Sequence, residues 1–232
     1  MENMNKAIVL LSGGLDSVVS LAVIRETCSE VICLTFNYGQ KSYLAEKKAS
    51  EIISKYYKTE HKIIDLDWLS IISTSSLTTN ETIPYISKEN LNNISIAQNS
   101  AKSVWVPNRN GLFVNIAACF AESYNFNTIV FGANKEEGTT FKDNSIQFVN
   151  AINSSLENST NTNIKLIAPL INMTKEEIVK LAIQKEVPLE LIHSCYISEE
   201  KHCGFCESCQ RLKRALELNN RKDIIDKIFE QD

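Results

Sequence analysis

The apolar run Ala7-Ile8-Val9-Leu10-Leu11 leads directly into Ser12-Gly13-Gly14-Leu15-Asp16-Ser17 and then into a second apolar stretch, Val18 to Ile24. No other feature constrains this chain as much. A near-continuous apolar run reads as a strand buried on both faces of a parallel sheet. Two glycines permit a tight turn and close approach of backbone to a ligand. The next segment has the composition of a buried helix, with Asp16 and Ser17 in its first turn, where side-chain oxygens suit free N–H groups. Strand, glycine turn and helix N-terminus together aim N–H groups and the positive end of the helix dipole at one point. A phosphate chain is the expected anion; an ordinary tight turn is the plainer alternative. No lysine follows the glycines, which excludes a Walker loop, and the turn is not Gly-x-Gly-x-x-Gly.

Further apolar segments follow in alternation. Val31 to Phe36, His61 to Asp65, Thr128 to Gly132 and Ile164 to Ala168 read as strands. Ser42 to Tyr57, Phe113 to Tyr124, Asp143 to Leu156 and the stretch after Thr174 read as helices. Ile146, Val149, Ile152 and Leu156 are the expected inward positions of one helix, and Thr174 with Glu177 forms a capping-box pattern. Strand–helix alternation implies right-handed crossovers, hence an α/β fold with a doubly wound parallel sheet. Residues 66 to 107 lose this rhythm and read as a lid or loop with short helices near 68–73 and 88–96. Two short helices, 207–218 and 223–229, end the chain. The expected division is an α/β domain over residues 1–190 and a small C-terminal subdomain over 191–232.

Composition excludes several function classes. The 232 residues are 44% hydrophobic and 22% charged, the profile of a globular protein. No apolar run reaches membrane-spanning length, and Met1 to Asn5 has no signal-peptide design, so a cytoplasmic protein without membrane contact is expected. A net charge of −4 with only five arginines argues against a nucleic-acid footprint. The cluster Arg211-Lys213-Arg214 reads as one solvated helix face.

Three of the seven cysteines, Cys28, Cys33 and Cys119, stand in apolar contexts and read as small core residues. The other four do not. Cys195 is separated by seven residues from Cys203, which begins Cys203-Gly204-Phe205-Cys206-Glu207-Ser208-Cys209. Two overlapping Cys-x-x-Cys units with a fourth thiol upstream suit tetrahedral Zn(II), and four thiolates leave no open position, so such a site is structural. An iron–sulfur cluster and a redox thiol pair are the competing chemistries. His193 and His202 flank the set without being needed as ligands.

Ser-Gly-Gly-x-Asp-Ser resembles the pyrophosphate loop of the N-type ATP pyrophosphatases. Further segments appear in order: Phe36-Asn37-Tyr38-Gly39-Gln40, Val106-Pro107-Asn108-Arg109-Asn110, Gly132-Ala133-Asn134-Lys135-Glu136-Glu137, and Ser194-Cys195-Tyr196 with the later cysteines. With these, essentially the whole chain is similar to the 7-cyano-7-deazaguanine synthases. The resemblance implies an adenine-nucleotide α-hydrolase-like sheet with a zinc-binding helical subdomain. It also implies an ATP-dependent carbon–nitrogen ligase of queuosine or archaeosine biosynthesis, with ATP, Zn(II) and Mg(II) as cofactors and a homodimeric state. The implied reaction converts 7-carboxy-7-deazaguanine and ammonia to the nitrile through adenylated intermediates, releasing AMP and pyrophosphate. No segment reads as a glutaminase, so ammonia is expected free or from a partner. Two other readings stay open: a tRNA-modifying or deazaguanine-conjugating pyrophosphatase, and a non-catalytic nucleotide- and zinc-binding module.

Residue roles follow from the resemblance together with residue chemistry. Leu11, Ser12, Gly13, Gly14, Leu15, Asp16, Ser17 and Phe36 are the expected nucleotide contacts, with Asp16 holding the loop or a magnesium ion. Asp16, Arg109, Lys135 and Lys175 are the expected catalytic set. Arg109 offers a planar fork for phosphate or carboxylate. Lys135 follows a strand end, and Lys175 opens a helix, where a cation is unfavourable unless an anion lies near. Asn108, Arg109, Glu136, Glu137 and Asp143 are the expected substrate-binding residues. Phe36 and Tyr38 border the adenine or the base. Cys195, Cys203, Cys206 and Cys209 are the metal ligands.

Overall fold

In the computed structural model, strand β1 (Lys6–Leu10) lies at the centre of a five-stranded sheet, and its residues Ala7 to Leu10 are buried. The structure describes residues 6–91, 93–197 and 200–230, with only the backbone of Ile94; the N-terminal residues 1–5, read above for a signal design, lie outside it. β1 pairs with β2 (Glu30–Asn37) on one side, and β2 with the edge strand β3 (Glu60–Asp65). On the other side β1 pairs with β4 (Thr128–Val130), and β4 with the second edge, β5 (Lys165–Ile167). Every pairing is parallel and the order is β3-β2-β1-β4-β5. The chain steps outward from β1 to β3, then returns and steps outward again through β4. Right-handed crossovers place the helices of the two halves on opposite faces, so the sheet is doubly wound. The direction of winding reverses between β1 and β4, and the crevice beyond their carboxyl ends is where such sheets take ligands.

Helix α1 (Leu15–Arg25) packs on β1 and β4, and α2 (Tyr43–Tyr56) on β2 and β3. Between β3 and β4 run α3 (Asp67–Ile72), α4 (Ile94–Ser103) and α5 (Arg109–Ser123), the last packed on β1 and β4. Helix α6 (Ile146–Ser159) covers β5, and α7 (Lys175–Gln184) packs on α1. The chain closes with α8 (Glu207–Leu218) against α7, and α9 (Lys222–Ile228) against α8. The capping box is present: Thr174 Oγ1 accepts from the Glu177 N–H at 3.3 Å, and Glu177 Oε2 accepts from the Thr174 N–H at 2.8 Å.

The 66–107 segment is more ordered than its polar composition suggests. Leu69, Leu77, Ile83, Ile86, Leu91, Val104 and Val106 are buried along it. Its second helix starts at Ile94 because Asn93 caps it, accepting from the Ile96 N–H at 3.3 Å; Asn92 lies outside the described residues. Two inward assignments fail. Cys119 lies on the solvent side of α5, and Ile146 is 46% exposed because it is the first residue of α6, before the inward stripe begins. The boundary expected near residue 190 falls at a 3₁₀ turn, Leu189–Leu191, and one buried apolar cluster includes residues on both sides of it.

Two glycines make the crevice possible. Gly13 has φ +80°, and a Cβ there would stand 2.8 Å from the Ala49 Cβ. A Cβ on Gly132 would stand 2.8 Å from the Ser17 nitrogen. The exit of β4 is therefore pressed against the start of α1, as the crevice requires.

Candidate functional site

A single cavity gathers the ends of β1, β2 and β4 with the N-termini of α1, α5 and α7. Leu11, Ser12, Gly14, Leu15, Asp16, Ser17 and Phe36 line it, as do Arg109, Glu137 and Lys175. Gly14 is the N-cap of α1 and has no side chain to offer its first-turn donors, so that end of the helix is left open to a ligand. The loop serines bond to each other. Ser17 Oγ donates to the Gly14 carbonyl at 3.0 Å and accepts from the Ser12 N–H at 3.2 Å. The Ser12 and Ser17 hydroxyls lie 3.1 Å apart, and Ser12 Oγ accepts from the Gly14 N–H at 3.4 Å. Both hydroxyls are engaged in shaping the turn, where the sequence had assigned them to the phosphates.

Built on the loop's own Asp16 is a buried charge cluster. Lys175, the first residue of α7, pairs with Asp16 Oδ2 and, at 2.8 Å, with Glu137 Oε1. The anions that justify a cation at a helix start are thus two carboxylates. Asn134 ties them together, donating to Asp16 Oδ2 at 3.3 Å and accepting from the Glu137 N–H at 3.0 Å. Burial pushes the Asp16 carboxyl up to about 6 against the pull of Lys175. Burial alone would lower the Lys175 ammonium, but Asp16 and Glu137 together raise it. Asp16 Oδ1 is buried with no hydrogen-bond partner among the described residues. Two carboxylates against one ammonium, with an orphaned oxygen, form a hard-oxygen site that fits Mg(II) shared with phosphates.

The third wall is aromatic. Phe36 stacks on Phe113 with centroids 4.0 Å apart, and Tyr38 tilts against Phe113 at 5.7 Å. Arg109 donates to the Tyr38 hydroxyl at 3.1 Å and to Asn110 Oδ1 at 3.2 Å. Its planar charge therefore sits beside an aromatic wall, held against Tyr38. Glu46 completes this wall, both its oxygens accepting from neutral donors: Ser42 at 2.6 Å and Gln40 at 2.8 Å.

Not every expected residue reaches the cavity. Glu136 lies outside the cavity lining and is held by other partners. One oxygen accepts from the Lys175 N–H at 2.9 Å; the other accepts from Arg211 at 2.9 Å and Arg214 at 2.6 Å. Arg211 is itself buried and paired with Glu207 at 2.8 Å, so the reading of Arg211 and Arg214 as a solvated face is corrected: they face inward across α8. Lys135 is exposed and absent from the cavity lining; its N–H bonds to the Met173 carbonyl while its side chain points away. Asn108 is exposed in the left-handed region at φ 48° and turns the chain into α5, and its neighbour Asn110 lines the cavity instead. Asp143 stands outside the lining, within electrostatic reach of Arg109. Glu46, Asn110, Phe113 and Ser194 are cavity residues that sequence reasoning did not select.

The four cysteine sulfurs all lie within 4.8 Å of one another, and Cys203 Sγ and Cys209 Sγ are 3.8 Å apart. A tetrahedron with metal–sulfur bonds of about 2.3 Å has edges of about 3.8 Å, so the set fits zinc. Cys206 is the N-cap of α8, Cys209 lies in its first turn, and the N–H groups of Ile197 and Cys203 point at Cys195 Sγ at 3.4 and 3.5 Å. His202 is no ligand in this arrangement. Its Nε2 accepts from the Ser194 N–H at 2.9 Å, its Nδ1 lies 3.1 Å from the Ile228 carbonyl, and burial lowers its pKa to about 4.

The family described as "Queuosine biosynthesis protein QueC" matches residues 6–220, a span that takes in every part of this cavity and all four cysteines. The chain belongs to the QueC family. Among QueC relatives, the 7-cyano-7-deazaguanine synthase of Methanobrevibacter smithii is 49% identical over 218 residues, covering 94% of this chain and 96% of its own. That of Pelotomaculum thermopropionicum is 46% identical, covering 90% and 96%. Among solved structures, the NH3-dependent NAD synthetase of Campylobacter jejuni aligns over 98% of this chain and 85% of its own, at 15% identity and a TM-score of 0.47.

Proposed function

We propose that this QueC chain converts 7-carboxy-7-deazaguanine and ammonia to 7-cyano-7-deazaguanine, consuming ATP as AMP and pyrophosphate. One observation carries the reading: the open N-terminus of α1 and the Asp16–Lys175–Glu137 cluster, which shares Asp16 with it, line one cavity. A carboxylate is a poor electrophile because oxide is a poor leaving group. Its attack on the α-phosphorus of ATP forms an acyl adenylate and expels pyrophosphate. Ammonia adds to the acyl carbon, loses a proton and displaces AMP, leaving an amide. The amide oxygen attacks a second ATP, and loss of AMP with the two nitrogen protons leaves the nitrile. Each nitrile therefore costs two ATP and yields two AMP and two pyrophosphates.

In this reading, the loop from Leu11 to Ser17 holds the β- and γ-phosphates as a leaving group through backbone N–H groups. Arg109 neutralises the substrate carboxylate or the α-phosphate. The Phe36–Phe113 pair borders a flat ring, the adenine or the deazaguanine, and Asn110 and Glu137 are polar groups of the same cavity that would read its edge. Lys175 keeps the two carboxylates in place, and Asp16 Oδ1 is the atom that would hold Mg(II), which screens the phosphate charge. Cys195, Cys203, Cys206 and Cys209 would hold Zn(II), which supplies a structural cross-link.

The proposal extends to a homodimer in the cytoplasm that works on a free base in the queuosine or archaeosine route, with residues 191–232 as its zinc-bearing subdomain. The net charge of −4 supports a free base over a nucleic acid. Among the described residues no helix is long and apolar enough to cross a membrane. Incubation with ATP, ammonium and 7-carboxy-7-deazaguanine tests the reading. Nitrile, AMP and pyrophosphate are expected; ADP and phosphate would overturn the adenylation chemistry, and absence of nitrile from folded, zinc-loaded protein would overturn the substrate.

A further inference from the structure

The segment that carries the first cysteine also touches the phosphate loop, at two points. The His193 N–H donates to the Gly13 carbonyl at 2.8 Å, and Ser194 Oγ accepts from the Leu15 N–H at 3.1 Å. Ser194 is held in turn from the metal side, because its own N–H is bonded to His202 Nε2 and the next residue is Cys195. The contact is close: a Cβ built on Gly14 would stand 3.4 Å from Ser194 Oγ and 3.5 Å from the His193 carbonyl oxygen.

Three serine hydroxyls line this end of the cavity: Ser12, Ser17 and Ser194. The proton of Ser17 goes to the Gly14 carbonyl, which leaves the Ser12 proton to point at Ser17 Oγ. Those two form a closed pair. Ser194 Oγ accepts from Leu15, and its proton has no acceptor among the described residues. A hydroxyl has one proton to give and two lone pairs to receive. With Leu15 on one lone pair, that proton is turned toward the cavity, beside the open end of α1. An oxygen placed there completes the cradle of helix N–H groups with a side-chain donor.

We infer that Ser194 is a phosphate ligand of this site, donating its hydroxyl proton to the pyrophosphate portion of the nucleotide from a position fixed by the cysteine centre. The inference rests on the proposed role of the loop and assigns it a donor from outside the loop. It also accounts for the cysteine centre lying beside the cavity: Cys195 and His202 set the position of a residue that touches the nucleotide.

The test is calorimetric titration of metal-loaded protein with magnesium pyrophosphate, ATP and AMP. Ser194→Ala is expected to bind pyrophosphate and ATP about tenfold more weakly, equivalent to ~1.4 kcal/mol, with AMP affinity and zinc content unchanged and the melting temperature lowered only by the small amount that loss of the Leu15 bond accounts for. Ser194→Thr, which keeps the hydroxyl, is expected to restore pyrophosphate binding. Wild-type affinity for pyrophosphate in Ser194→Ala overturns the inference, and so does an equal loss for AMP, which marks a general structural role. A wild-type protein that binds no pyrophosphate overturns the reading of the loop itself, a distinct outcome.

Discussion

The two halves of the cavity are built in opposite ways. The phosphate loop is made from six consecutive residues, and what it presents is backbone: the α1 N-terminus, with serines bonded to one another behind it. The charge cluster beside it takes Asp16 from the loop but is otherwise made from side chains far away in the chain. Asp16 is separated from Lys175 by 159 positions and from Asn134 by 118. A backbone site needs only the right turn, and local sequence dictates that turn. A side-chain cluster needs the whole fold, and it fails as a unit when one member is removed.

That contrast can be broken experimentally, and the largest effect lies in the part that holds both halves together. Cys206→Ser removes one of four thiols from a cluster that fits zinc, and a structural zinc there would contribute on the order of 10 kcal/mol to folding. Loss of bound zinc by elemental analysis should coincide with loss of soluble protein. Retention of both would mean that the four thiols are not a structural zinc site.

Next comes Lys175→Met, which leaves Asp16 and Glu137 buried without their cation. Breaking such a pair costs about 3–5 kcal/mol. Denaturant melts should show that loss, whereas a change below about 1 kcal/mol would show that the cluster is solvated and that its burial is misread.

A smaller effect separates the halves by pH. Burial holds the Asp16 carboxyl near 6 in the folded chain, above its usual 3.8. Because the folded pKa is raised, the folded state takes up the Asp16 proton more readily than the unfolded chain does. Ionising this group works against folding as pH rises from about 4 through 6, while binding of magnesium needs the ionised form. Magnesium-dependent ATP affinity should therefore decline below pH 6, by about tenfold per unit, while magnesium-free binding to the loop stays flat. Parallel curves with and without magnesium would exclude Asp16 as the metal contact.

The smallest change probes a piece of local sequence at the edge of the cluster. Thr174→Ala deletes a helix cap worth about 1 kcal/mol. Melting temperature should drop by a few degrees with kcat retained; a collapse of kcat would mean that the position of Lys175 depends on its cap.

The same contrast decides what the sequence made legible. The β1 turn, the alternation that predicts the doubly wound sheet, the Thr174–Glu177 capping box and the four cysteines are contiguous patterns, and each stands where the residues placed it. Glu136 was expected to bind substrate from the resemblance of its segment. Its true partners are arginines on α8, and no local pattern announces them. Arg211 and Arg214 suffer the mirror-image error: a basic triplet on a helix looks solvated until the acid that buries it is known. Lys135 is exposed and lies outside the cavity lining, a placement that strand order alone does not set. Ser194 had a signal, since it adjoins Cys195, but only the fold shows that a metal segment can also touch the loop.

The bond from the Leu15 N–H to Ser194 joins positions 179 apart. A chain emerging from the ribosome makes β1 and the glycine turn first, and the hydroxyl that steadies that turn follows 179 positions later. Until residue 194 has cleared the exit tunnel, the first motif to be made is also an unfinished one. Competence to hold a nucleotide is then acquired late, together with the cysteines, so a truncated chain carries the loop sequence without the loop's final shape.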